Sequence, residues 1–159
     1  VYLGPAIETF WMILHEALRR QDPALFDLAA ERLKRHIEVA WDDVYGGFFR
    51  AMEVNGALTF DKVLWLQEEV LIGTMILMEH TDLEWPAWWF DRTFHYVQEK
   101  FPLRQHGYPM WIMGGDRKVT YQPKTARKGN FHHPRHLMLN LLALARMIER
   151  NGAVSGVWQ

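Results

Sequence analysis

The stretch KGNFHHPRHLMLNLLALARMI (Lys128–Ile148) joins a titratable head to an apolar tail. Leu, Met and Ala crowd the tail so densely that a helix from about Pro134 to Arg150 is apolar on most sides, and Asn151-Gly152 closes it with a C-cap signal. Such a helix belongs inside a protein. The head gathers His132, His133, Arg135 and His136 around Pro134. Groups that hold or move protons sit at the mouth of a buried helix when that mouth opens on a site.

The same combination recurs upstream. A helix over about Asp61 to Glu79 is apolar nearly all round yet carries Gln67, Glu68 and Glu69 in its middle, so these polar groups need partners inside the fold. A helix over about Pro5 to Arg20 has Ile7, Phe10, Trp11, Leu14 and Leu18 on one stripe, with Glu8 beside it. Two further helices read as peripheral. One, about Pro23 to Trp41, has Asp22 as N-cap and Pro23 at its first position. It sets Leu25, Phe26, Leu28, Leu33 and Ile37 opposite Glu31, Arg32, Lys34, Arg35 and Glu38. The other, about Pro86 to Phe101, is aromatic, with Asp91, Arg92, Gln98, Glu99 and Lys100 toward water. Between these helices, YGGFFRAMEVNGALTF predicts a short β-hairpin with a type I′ turn at Asn55-Gly56. A second hairpin, Tyr108 to Met113 with Lys118 to Tyr121, turns at GGDR. Helices alternating inner, outer, inner, outer, inner are the rhythm of an α/α barrel. The expected fold class is all-α: one partial α/α toroid over residues 1–159 with two short hairpins, about five helices where a ring of six pairs needs twelve.

With 159 residues, 49% of them hydrophobic, the chain can form one domain with a real core. A balance of 18 basic against 19 acidic residues leaves no footprint for nucleic acid or an anionic membrane surface. Cysteine is absent, which removes thiolate chemistry and disulfides, and neither a signal-peptide pattern nor a membrane-spanning apolar run is present; a cytoplasmic location is expected. Eight tryptophans offer flat faces for sugars, although core packing is their commoner use. The start at Val1, close before a helix, reads like a cut from a longer protein.

The motifs carry a resemblance. KGNFHHPR (Lys128–Arg135) is similar to the K-G-x-F-H-x-P-R signature of the N-acylglucosamine 2-epimerase family, and KVLWLQEE (Lys62–Glu69) to its K-x-W-W-x-[QH]-x-E segment. GPAIETFWMIL (Gly4–Leu14) resembles its G-H-x-x-E-x-x-W-x-L helix, and WDDVYGGFF (Trp41–Phe49) the segment before its first hairpin. The resemblance implies the second half of an (α/α)6 barrel and a sugar isomerase or 2-epimerase acting on an aldose or N-acyl amino sugar through an enediolate. Such chemistry needs a base active near neutrality and donors for the enediolate oxygen. The resemblance implies His132 as general acid/base, with Glu69 and Glu8 in the catalytic set. It implies substrate contacts from Arg135, Gln67, Trp65, Lys62 and Trp111. The blander readings are a helix-capping role for His132, a satisfied buried network for Gln67, core packing for Trp111 and a solvated Lys62.

Two departures qualify the activity. Pro5 stands where the family places its second catalytic histidine, and Arg127 where it often places an aromatic residue. Epimerisation uses bases on both faces, whereas aldose–ketose isomerisation can use one. The alternative is therefore a non-catalytic carbohydrate-binding or assembly protein. A weaker third option, a glycoside hydrolase, would have to use Glu8 with Glu69. His132, His133 and His136 have i, i+1, i+4 spacing, yet no carboxylate lies near them in sequence, and the resembled chemistry needs no metal or cofactor; none is expected. The expected ligand is a small-molecule sugar. Inner helices at the edges of a half ring would expose apolar surface, which predicts a homo-oligomer, a homodimer in the simplest case, or a fragment of a longer chain.

Overall fold

A computed structural model describes residues 1–60, 62–103, 108–109 and 131–158. The first helix, α1 (Leu3–Arg20), buries Leu3, Ile7, Trp11, Leu14 and Ala17, a stripe with the spacing of one helix face. It ends at Gln21 in the left-handed conformation (φ 54°), and the chain reverses at once. Asp22 caps α2 (Pro23–Ala40), its side chain accepting the Leu25 N–H at 3.0 Å, with Pro23 opening the helix as its sequence predicts. Phe26, Leu33 and Ile37 of α2 are buried, but Leu28, expected on the same face, is 49% exposed. It lies between the stripes occupied by Phe26 and Ala29.

The third helix, α3 (Leu64–His80), is buried along almost its whole length. It packs against α1, α4 (Glu84–Lys100) and α5 (His132–Glu149), while α2 lies mainly on α1. Specific contacts give the directions. Gly4 meets Trp65, Trp11 bonds Glu69, and the Trp11 Cβ approaches Gly73, so α1 and α3 run parallel. Glu69 meets His132 near one end and Glu79 meets Arg146 near the other, so α3 and α5 run parallel too. Leu64 clusters with Val97 and Phe101, so α4 returns antiparallel to α3. The inner row α1–α3–α5 is thus parallel, with α2 and α4 outside carrying the chain back: the alternation expected of an α/α toroid.

Each polar residue buried on α3 finds a partner. Gln67 accepts the Phe48 N–H at 3.0 Å and donates to the Phe48 and Val63 carbonyls, each at 3.2 Å. The Thr74 hydroxyl donates to the Val70 carbonyl at 2.7 Å. Glu79, 2% exposed, accepts the Arg146 fork at 2.6 and 2.7 Å and Arg150 at 3.2 Å. Burial works to raise its carboxyl pKa, but these donors prevail and hold it below the ordinary carboxylate value. Lys62, far from solvated, is fully buried: its ammonium bonds Asp42 at 2.6 Å and the Gly46 carbonyl, organising the loop after α2. Trp41, Phe48 and Trp89 pack edge to face or tilted in the same region, so these rings serve the core.

Strands β1 (Ala51–Met52) and β2 (Leu58–Thr59) form the first hairpin, paired Ala51 to Thr59 and Met52 to Leu58. Its turn is not type I′, which requires positive φ at two successive residues; Gly56 alone has it (φ 87°), while the Asn55 side chain accepts the Ala57 N–H at 2.9 Å. In the second region β3 (Pro102–Leu103), directly after α4, pairs with β4 (Tyr108–Pro109), where the expected second hairpin begins. The remainder of that expected hairpin lies outside the described residues.

The α5 helix starts at His132, two residues before the expected Pro134, and so includes all three histidines in its first turns. It closes as predicted, with Asn151 and Gly152 at positive φ and the Gly152 N–H on the Met147 carbonyl at 2.8 Å. Only His136, Asn140 and Ala143 of α5 are buried; Leu137, Met138, Leu141, Leu142 and Ile148 are exposed, the apolar edge that an incomplete ring implies.

Candidate active site

Three parallel inner helices present their first two turns at one end of the molecule, and the sequence-predicted residues meet there. Glu69, fully buried on α3, is the hub. Its Oε2 accepts the Trp11 indole N–H from α1 at 2.6 Å. Its Oε1 accepts from Arg135 Nη2 at 2.5 Å and lies 2.8 Å from His132 Nδ1, both on α5. The same Nη2 donates to Glu8 Oε1 on α1 at 2.7 Å. The guanidinium lies 5.1 Å from the Trp11 ring centroid and 4.5 Å from that of Phe131. Burial acts against its charge, but the bond to Glu8 and the two carboxylates outweigh this, and its pKa is raised.

The hydrogen bonds settle the histidine tautomer. His132 Nδ1 is 2.8 Å from a carboxylate oxygen and 3.1 Å from Arg135 Nη2. An ionised carboxylate only accepts, so Nδ1 carries the proton and gives it to Glu69; the 3.1 Å approach of Arg135 is proximity, not a second bond. In the neutral ring the basic lone pair is then on Nε2, where a general base needs it. His132 is the first residue of α5, and Phe131 holds the N-cap position.

Trp65 stacks on the His132 ring at 4.9 Å with a 30° interplanar angle, and Phe131 meets it edge-on at 5.3 Å. Gly4 makes this possible: a Cβ there would lie 2.2 Å from the Trp65 ring. Gly4→Ala is therefore expected to push Trp65 off His132 with a modest stability loss of about 1–3 kcal/mol. The His132 ring resonances in NMR check it; unchanged ring shifts would contradict the packing argument.

Not every expected residue joins the cluster. Glu8, Glu69, His132, Arg135 and Trp65 converge. Gln67 and Lys62 are engaged with the loop after α2 and fully buried. Trp111 lies outside the described residues. Pro5 is on the exposed side of the first turn of α1, its carbonyl accepting the Thr9 hydroxyl at 2.7 Å. Two roles escaped the sequence reading. Trp11 was legible as a core residue but not as a donor to Glu69, although its place three residues after Glu8 in the signature was the available signal. Gly4 was legible as a motif position without its packing reason.

Fold and site together define a segment of an α/α-toroid protein with a histidine oriented by a buried carboxylate and a shared arginine. Residues 4–136 match the N-acylglucosamine 2-epimerase (GlcNAc 2-epimerase) family, and the chain belongs to that family. It is 27% identical over 156 residues to the N-acylglucosamine 2-epimerase of Mus musculus, covering 92% of this chain and 37% of that protein. A crystal structure of D-mannose isomerase superposes with a TM-score of 0.79 at 16% identity, over 92% of this chain and 38% of that one; at that identity the likeness concerns the fold. The chain thus spans under two-fifths of the length of either relative.

Proposed function

We propose that the chain carries the proton-transfer centre of a sugar isomerase or 2-epimerase. The observation that carries this reading is the His132 ring, held through Nδ1 by Glu69 so that Nε2 is basic. His132 removes the proton at C2 of an open-chain aldose, and the electron pair moves into the C1–C2 bond and onto the carbonyl oxygen, giving an enediolate. Return of the proton from His132 to C1, with the O2 proton passing to O1 and a carbonyl re-forming at C2, gives the ketose; return of a proton to C2 from the other face, with the carbonyl re-forming at C1, gives the epimer. Glu69 is fully buried, so its role is positioning rather than contact with sugar. Glu8, whose side chain is 22% exposed, is the carboxylate placed to accept sugar hydroxyls, and Trp65 offers a stacking face beside His132.

Pro5 removes the second imidazole of the resembled motif, so one-base isomerisation is the favoured outcome over epimerisation. A hydrolase reading loses support because one guanidinium nitrogen binds both Glu8 and Glu69, which ties the two carboxylates to each other instead of setting them on either side of a scissile bond. Incubation with mannose, glucose and N-acylglucosamine in D₂O tests the proposal: deuterium at C2 or C1 with ketose as the main product is expected. Saturable sugar binding with no exchange would replace it by the non-catalytic carbohydrate-binding reading, which Pro5 also suits.

Among the described residues no helix is long and apolar enough to cross a membrane. A cytoplasmic setting is part of the proposal, supported by the absence of cysteine. So is a partner surface over Leu137, Met138, Leu141 and Ile148 of α5, either a second copy or further helices of the same ring. Mass in solution distinguishes the two.

A further inference from the structure

Next to the His132–Glu69 pair runs a second pair, one residue before Glu69 on α3 and one residue after His132 on α5. Glu68 on α3, 1% exposed, bonds His133 Nδ1 on α5, and His136, one turn further along α5, lies with its Nδ1 4.0 Å from the same Glu68 oxygen. One ligand atom from each of these three residues falls within 4.8 Å of the others. Glu68 occupies the unspecified position before the glutamate of the K-x-W-W-x-[QH]-x-E segment. His133 occupies the unspecified position of K-G-x-F-H-x-P-R, and His136 follows that signature. The motif for proton transfer therefore does not account for the trio.

A histidine–glutamate ion pair accounts for two members only. His136 is 8% exposed, and its buried Nδ1 has no hydrogen-bond partner among the described residues. A distance of 4.0 Å to a carboxylate oxygen is too long for a bond and too short to hold a water between them. A buried polar atom left this way carries a desolvation cost that nothing among the described residues offsets. Two imidazoles and one carboxylate converging on one gap form the ligand set of a borderline divalent cation, zinc foremost.

We propose that Glu68, His133 and His136 form a binding site for a divalent transition-metal ion of the zinc type, separate from the His132 centre and clamping α5 to α3. A tetrahedral shell has ligand–ligand edges of about 3.3 Å, so the trio, spread within 4.8 Å, closes by side-chain rotation alone. His133, whose side chain is 32% exposed, gives the ion a route from solvent and leaves room for water as fourth ligand. The proton shared between Glu68 and His133 is the one the cation displaces, so binding releases a proton. Burial keeps His136 neutral, its pKa pushed down to about 4 with His133 adding to the effect, which leaves that ring ready to donate a lone pair. The clamp matters because α5 packs chiefly on α3.

Titration of the intact chain with Co²⁺ alone, followed by displacement with Zn²⁺, tests this. The expected result is one saturable ion per chain with the intense visible bands of four-coordinate cobalt, and a Tm raised by Zn²⁺. Affinity is expected to fall by more than about a hundredfold in Glu68→Gln and His136→Gln, beyond the loss an outer partner gives. It is expected to persist in His132→Gln. Should the buried-site variants not fold, His133→Gln, at a partly exposed position, decides the matter by the same loss. Absence of saturable binding overturns the proposal, as does binding that survives His133→Gln. Binding lost in His132→Gln but kept in His136→Gln assigns the ion to the Glu8–Glu69–His132 group and likewise overturns it.

Discussion

Replacing His132 by asparagine is expected to lower C2 proton exchange by about 10²–10⁴-fold while the fold survives, because a positioned general base contributes on that order. Asparagine keeps a donor at about the place of Nδ1, so the acceptor on Glu69 that now lies 2.8 Å away stays satisfied. It has no counterpart of Nε2. His132→Ala removes both functions, so a larger stability loss in alanine than in asparagine, with equal loss of exchange, separates the base from the structural bond. Equal exchange in parent and variant would remove His132 from the chemistry.

Glu69→Gln is the substitution expected to cost the most stability, about 3–5 kcal/mol. The carboxylate is fully buried and receives three donors, from Trp11, Arg135 and His132. An amide presents one accepting atom and one NH₂ group, so whichever way it turns an N–H faces another N–H at a fully buried position. Arg135 keeps Glu8 but loses half its compensating charge. For a chain of this length such a loss lowers Tm by roughly 10 °C or more, and thermal unfolding measures it directly. Activity falls as well, since His132 is no longer held in one tautomer. Glu8→Gln is the control, with a loss under about 2 kcal/mol because its side chain keeps contact with solvent. Equal Tm values for the two variants would show that Glu69 is not the hub.

Much of this site was legible before any coordinates. His132, Arg135, Glu8 and Glu69 stand in segments that resemble the family's signatures, and the structure brings all four together. Gln67 and Lys62 stand in the same segment but turn to the loop after α2, because their length and their hydrogen-bonding capacity are used by the Phe48 backbone and by Asp42. No local rule separates the residues of KVLWLQEE that face the cluster from those that face the loop: a turn of 100° per residue does, once the neighbours are in place. Glu68 shows the converse. It read only as a polar residue awaiting a partner, and the carboxylate that seemed missing near His133 and His136 was 65 positions away in the chain.

Helix formation is local, so the period of apolar residues, Asp22-Pro23 before α2 and Asn151-Gly152 after α5 were sufficient to place the five helices found among the described residues and to sort inner from outer. Which side chains touch was not local. The contacts that build the site join residues 58, 63 and 127 positions apart, and they exist because each outer helix returns the chain so that every inner helix starts at the same end. Residue types belong to the sequence; the parallel inner row that brings their first turns within hydrogen-bonding distance belongs to the packing, since burying α3 on all sides requires neighbours drawn from distant parts of the chain.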